Sequence, residues 1–186
     1  IGGGNMIDDH RPVHLVHGPG NDGMLLCLQV VKRALLSGSN VFWIGDLPAA
    51  SAKSALGSVN EEFLSRLLVG PTEAIESDST ALRTADLVIL WPWCTNHGRA
   101  GKSEISRLRE ILDSTNGRVV AASLGNQDAS GGAGITARSR SMLEEMGLET
   151  WFLSRQETGF RRVLKSSDRE VELERRDGGF SVVSTS

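Results

Sequence analysis

Val13-His-Leu-Val-His-Gly-Pro-Gly-Asn-Asp-Gly-Met-Leu-Leu-Cys-Leu-Gln-Val-Val-Lys-Arg-Ala-Leu-Leu36 is the stretch on which the fold turns. Val13, Leu15 and Val16 predict a short buried strand, Gly18 to Gly23 a loop, and Met24 to Leu36 a helix that stops at Ser37-Gly38. Strand, glycine loop, helix is the opening unit of a parallel α/β sheet.

On the C-terminal side, Asn40 to Ile44 predicts a second strand, closed by Gly45-Asp46-Leu47-Pro48. A helix is expected over about Val59 to Arg66, a short strand at Leu67 to Val69 and another helix over Thr72 to Arg83. Asp86-Leu-Val-Ile-Leu-Trp91 is apolar after its first residue, as a central strand covered on both faces should be, and Pro92 stops it. Ile105, Leu108, Ile111 and Leu112 place one apolar stripe on a helix over Lys102 to Leu112. Arg118 to Ser123 reads as a buried strand, Gly125 to Gly134 as a long glycine-rich loop, and Ala137 to Met146 as a helix capped by Gly147. Glu149 to Ser154, Phe160 to Lys165, Glu170 to Arg175 and Phe180 to Val183 predict four short strands forming an antiparallel extension.

The expected architecture is therefore α/β: a mostly parallel, helix-covered sheet over residues 1–147 and a β meander over 148–186, in one domain. Ligands in such sheets sit beyond the C-terminal strand ends. Those ends are the loops Gly18 to Gly23, Gly45 to Pro48, Trp91 to Asn96 and Gly125 to Gly134.

Composition narrows the classes further. The chain has 186 residues, 39% of them hydrophobic, and a net charge of −3, so disorder and a global nucleic-acid-seeking field are both excluded. Cys27 and Cys94 lie in or beside apolar runs and read as buried thiols in a reducing compartment. With no membrane-length apolar run and no targeting segment, a cytoplasmic location is expected.

Gly18-Pro19-Gly20-Asn21-Asp22-Gly23 fits the G-x-x-x-x-G half of a phosphate-binding loop between strand and helix. The motif then needs Lys to neutralise phosphate and Ser or Thr to ligate magnesium, and here stand Met24 and Leu25. A glycine turn feeding a helix, with no ligand, is the competing reading.

At this point nearly the whole chain resembles a family, the RecA-type recombinase ATPases, and within it the short archaeal RadB-like and RadA-like core domains. Ile1-Gly-Gly-Gly4 resembles the segment before the first core strand, and Val13 to Pro19 resembles that strand entering the phosphate loop. Trp43-Ile-Gly-Asp-Leu47 is similar to the strand ending in the family's catalytic glutamate, and Leu87 to Trp91 to the strand ending in its magnesium-associated aspartate. Asn126-Gln127 resembles the pair opening the second DNA-binding loop, and Arg161 to Phe180 the closing meander.

The resemblance implies a RecA-like P-loop NTPase core whose catalytic positions have been replaced. Leu47 stands at or beside the glutamate position, Trp91 at the aspartate position, and Met24 and Leu25 in the phosphate loop. Removing the lysine, both magnesium-side groups and the general base together leaves no means of metal-assisted phosphoryl transfer. A site without Mg-ATP should favour apolar fillers, because a buried charge without its partner is costly.

The family's implication is thus a non-catalytic paralogue in homologous recombination or repair, partnered by a RecA-type recombinase or single-stranded DNA. No resident cofactor is expected. The alternatives are an ATP-binding or ATP-hydrolysing RecA- or KaiC-like protein using an acid such as Asp22 or Asp46, and a signalling module with no DNA role. DNA contacts would come from Asn126, Gln127, Gly131 and Gly132 of the glycine-rich loop and from Arg138 and Arg140 after it. Any anion would sit on Gly18, Gly20, Asn21, Asp22 and Gly23. A dimer or heterodimer is expected rather than a filament, since the family's polymerisation segment would precede the core.

Other clusters carry less. His14 and His17 are three apart on a strand and face opposite ways, so with His10 and His97 they make no metal set. Gly98-Arg-Ala-Gly-Lys-Ser103 has the wrong glycine spacing for a phosphate loop and reads as an ordinary helix start. Arg155, Arg161, Arg162 and Lys165 offer positive charge on the meander, against a solvated face balanced by Glu170, Glu172 and Glu174.

Overall fold

The computed structural model describes residues 11–74, 79–127, 134–156 and 159–186. β1 (Val13–His17) leads into α1 (Asp22–Leu36), followed by β2 (Val41–Gly45), α2 (Ala49–Leu56), the single turn α3 (Glu61–Leu64) and β3 (Leu67–Gly70). A 3-10 turn (Thr72–Ala74), α4 (Thr80–Thr84), β4 (Leu87–Trp91), α5 (Lys102–Ser114) and β5 (Arg118–Leu124) come next. A small hairpin of β6 (Asn126–Gln127) and β7 (Ile135–Thr136) precedes α6 (Arg140–Glu145). β8 (Glu149–Arg155), β9 (Arg161–Lys165), β10 (Glu170–Arg176) and β11 (Gly179–Thr185) follow.

One nine-stranded sheet runs in the order β3-β2-β4-β5-β1-β8-β9-β10-β11. The strands from β3 to β8 are parallel, and those from β8 to β11 antiparallel. The architecture is the α/β one expected, with one correction. Residues 149–154 do not belong wholly to the antiparallel extension: β8 pairs parallel to β1, Leu15 opposite Trp151, and antiparallel to β9. The helix α6 before it supplies the crossover that a parallel neighbour requires.

Local differences follow the weakest signals. The Ala- and Ser-rich stretch holds an eight-residue helix at Ala49–Leu56, while the helix expected over Val59 to Arg66 shrinks to Glu61–Leu64. The helix expected over Thr72 to Arg83 is a 3-10 turn and α4, with 75–78 outside the described residues. The central strands β2, β4, β5 and β1 are covered on both faces, as their continuous apolar runs demand. Val13, Leu15, Trp43, Ile89 and Trp151 pack under Leu26, Leu28, Val31 and Leu35 of α1. On the opposite face Ile44, Val88, Leu90 and Ala121 pack under Leu82, Leu108, Ile111 and Leu143. Each such leucine contributes about 2 kcal/mol of burial. Alternation along β1 puts His14 on the α5 side and His17 on the α1 side.

Candidate functional site at the glycine loop

The C-terminal ends of β1, β2 and β4 bring together the loop at 18–23, the turn after Gly45, and Trp91. Gly45 has φ +114°, and a Cβ there would lie 1.8 Å from the Trp91 carbonyl, so only glycine lets the two strand ends meet this closely. The Asp46 N–H donates to that carbonyl at 3.0 Å, and Trp43 Nε1–H donates to the Asp46 carbonyl at 3.1 Å.

The apolar positions close over this corner. Met24 is buried in the α1-side core, and Leu25, Leu47 and Trp91 pack against the same cluster. Only Met24 is buried outright; Leu25, Leu47 and Trp91 are half-buried and lean on the cluster from its rim. The His17 ring stacks on Trp91, centroids 4.7 Å apart and planes 10° from parallel. It also lies against Gly23, where a Cβ would come within 2.5 Å of the ring. His17 Nδ1–H donates to the Gly18 carbonyl at 2.8 Å, which fixes the tautomer because a carbonyl can only accept. Burial pushes the His17 pKa down, against the opposing pull of that hydrogen bond. The ring is therefore a neutral, aromatic filler behind the loop.

Met24, Leu25, Leu47 and Trp91, which the family resemblance matches to the phosphate and metal groups, are a thioether, two leucines and an indole, side chains that neither neutralise a phosphate nor ligate magnesium. Asp46 is exposed at the turn.

Asp22, the first residue of α1, is buried and holds three guanidiniums. Its carboxylate accepts from Arg162 Nε at 2.7 Å, from Arg155 Nε at 2.9 Å and from Arg175 Nη1 at 3.3 Å. The Arg162 side chain is only 5% exposed, while those of Arg155 and Arg175 are 56% and 38% exposed. Burial alone would raise the Asp22 carboxyl. The hydrogen bonds and charges of Arg162 and Arg155 outweigh it and hold the group below the usual carboxylate range. Asp22 is thus the tie between the glycine loop and the meander. A second tie lies further along α1, where the Gln29 amide donates to the Phe180 carbonyl at 2.8 Å and accepts its N–H at 2.7 Å.

The basic meander residues divide. Arg161, Lys165 and Arg176 pair with Glu172, Glu170 and Glu174, as a solvated face would. Arg162 does not belong to that face: it sits opposite Leu173 in the pairing, on the α1 side, and is buried on Asp22. Arg175 was not singled out by sequence reasoning at all.

Around the glycine-rich loop, Asn126 and Gln127 form β6, half-buried and exposed respectively, and Gly131 and Gly132 lie outside the described residues. Arg138 is placed otherwise than a DNA contact requires. It is buried, and its guanidinium donates to the carbonyls of Leu124, Asn96 and Gly98, stapling the loop before α5 to the end of β5. Arg140 is exposed, pairs with Glu144 at 2.7 Å and lies over the Phe152 ring. At the start of α5, the Glu104 carboxylate accepts the N–H groups of Gly101 at 2.6 Å and Thr95 at 2.7 Å, so Gly98 to Ser103 is an ordinary capped entrance.

On the opposite face His14 is buried, with Nε2 accepting from Trp93 Nε1–H at 3.1 Å and lying 2.9 Å from Ser123 Oγ. Desolvation brings its pKa down to about 4. Among the described residues no three His, Cys, Asp or Glu side chains come together as a metal site, and no helix is long and apolar enough to cross a membrane.

No protein-family model matches this chain, and no curated protein matches it. Solved structures do. The crystal structure of the RadB recombinase superposes with a TM-score of 0.66 at 18% identity, covering 94% of this chain and 93% of that one. Flagellar accessory protein FlaH from Methanocaldococcus jannaschii gives a TM-score of 0.65 at 11% identity, covering 97% and 92%. The chain therefore has the RecA-like fold that these two proteins share.

Proposed function

We propose that this chain is a RecA-family paralogue that works by binding rather than by phosphoryl transfer, in homologous recombination or repair, beside a RecA-type recombinase. The observation that carries the loss of chemistry is the packing of Met24, Leu25, Leu47 and Trp91 onto one core cluster, with His17 wedged against Gly23. Four replacements on one strand-end corner are mutually supporting: each removes a group whose burial without Mg-ATP would be costly. The likeness to RadB supports the recombination setting.

Calorimetric titration with ATP, with and without magnesium, is the direct test. No magnesium-dependent heat is expected, and micromolar binding that requires magnesium would overturn the reading.

An interaction module without a DNA role is the second reading, and one observation favours it: Arg138, expected among the DNA contacts, and Arg162 of the basic meander are buried and engaged inside the protein. Single-stranded DNA binding by the isolated chain separates the two. Retention of DNA supports the recombination role, and its absence together with failure to capture a RecA-type recombinase supports the module.

A further inference from the structure

On the α1-facing side of the meander, three arginines share one paired carboxylate among the described residues. Arg155 and Arg162 stand directly opposite each other in the β8–β9 pairing, and Arg175 lies two residues beyond Leu173, the partner of Arg162, on the same face. Like charges opposite each other destabilise a sheet unless an anion lies between them. Asp22 supplies one negative charge against three positive, and among the described residues it is the one carboxylate paired with any of the three.

Hydrogen-bonding capacity is left over in the same place. Arg155 gives Asp22 its Nε–H and Arg175 one Nη1–H, and among the described residues their remaining side-chain N–H groups have no protein partner. Arg162 differs: its Nη1 donates to the carbonyls of Gly159 and Arg161, so it is a buried support. The Arg155 guanidinium lies against Gly20, 3.0 Å from where a Cβ would stand, beside the exposed Pro19–Asn21 rim. The 15-residue helix α1 turns its positive pole to the same spot, and Asn21 offers it no side-chain cap.

We propose that Arg155 and Arg175, backed by Arg162, form a seat for a phosphate group on the meander side of the glycine loop, with Asp22 as its fixed anionic neighbour. The charges match: among the described residues three guanidiniums on one carboxylate leave a surplus of two positive charges, which meets the roughly −1.5 to −2 of a phosphate monoester at neutral pH. The geometry matches too, because guanidinium forks present paired donors to tetrahedral oxygens. The phosphate can come from a small nucleotide or from a nucleic-acid strand, and the seat reads the chemistry common to both.

The test is a magnesium-free titration with inorganic phosphate at constant ionic strength, following the Arg155 and Arg175 Nε–H resonances, with chloride as the control. Saturable shifts at millimolar phosphate are expected, weakened about tenfold by Arg155→Gln or Arg175→Gln, the loss expected for one charge-assisted contact. Asp22→Asn raises the surplus to three charges and tightens phosphate. The arginine variants lie on partly exposed side chains and carry the test even where Asp22→Asn fails to fold. A 5′-phosphorylated oligonucleotide compared with its 5′-hydroxyl twin separates the sources. Preference for the phosphorylated strand marks a terminal monoester, and equal binding lost in the double arginine variant marks internal phosphodiesters. Absence of saturation, or binding that survives the double variant, overturns the seat. Magnesium and ATP are left out, so failure here leaves the reading of the filled loop untouched, and the reverse holds as well.

Discussion

Two glycine-bearing entrances lead into helices on opposite faces of the same sheet, and each puts an acid in the helix's first turn. Glu104 at the start of α5 bends back onto the N–H groups of Gly101 and Thr95, a cap made within ten residues of chain. Asp22 at the start of α1 makes no such local bond; it reaches arginines 133, 140 and 153 residues away. One entrance is closed by secondary structure and the other by the tertiary fold. A local cap can be lost at the expense of a helix turn, whereas a tertiary tie holds two parts of the sheet together.

The most forceful way to break that contrast is Asp22→Ala. It leaves the Arg162 guanidinium, 5% exposed, without its counter-charge, and removing one partner of a buried pair costs about 3–5 kcal/mol. Urea denaturation should show a fall of that size. A change below about 1 kcal/mol would mean that the arginines are solvated and that the tie is no different from a surface pair.

The two entrances are joined through His14, since β1 precedes α1 and Trp93, which donates to His14, precedes α5. Its pKa falls from 6.5 to about 4 because burial disfavours the charged ring. The folded state therefore binds fewer protons than the unfolded one between those values, and stability falls as pH drops from 6.5 toward 4. The full loss is about 3 kcal/mol. His14→Gln keeps an acceptor for Trp93 and should remove this part of the slope, leaving the share that His17 contributes with the same sign. Asp22 acts at lower pH. Its stabilisation is complete above the ordinary carboxylate value and is lost as pH falls through its lowered folded value, so the two groups separate in a pH series of denaturation curves.

What could be read in advance follows the same division between local and distant. The strand, loop and helix over residues 13–36 are legible because apolar spacing and glycine are local signals, and the structure starts α1 at Asp22, two residues before the predicted helix. The strand at 86–91 is legible because a run apolar on both faces has no other place in such a sheet. The residues at 24, 25, 47 and 91 are legible as apolar, but the His17 ring that lies between Gly23 and Trp91 behind them is a contact that no spacing announces. The arginines on Asp22 were visible only as scattered positive charge. Alternation places Arg162 on the same side as Leu164, which is a face signal, yet nothing along the chain says that an acid waits there. Arg138 misleads for a related reason: a cation after a flexible loop looks like a nucleic-acid contact, and its three carbonyl partners lie 14, 40 and 42 residues away.

Glu104→Ala is the smaller counterpart of the Asp22 variant and completes the comparison. It removes two short charge-assisted bonds, but both donors are exposed backbone N–H groups that water can reach once the carboxylate is gone. The cost is that of an N-terminal cap, about 1 kcal/mol, and it should appear as fraying of the first turn of α5 with the meander undisturbed. Amide exchange reads this directly: faster exchange confined to the start of α5 in Glu104→Ala, against faster exchange in both the α1 entrance and β9–β10 in Asp22→Ala. Equal costs and equal spread would show that both acids serve only their own helix. The contrast between a local cap and a tie across the fold would then be gone, and with it the reason to treat the arginine row as a built charge site.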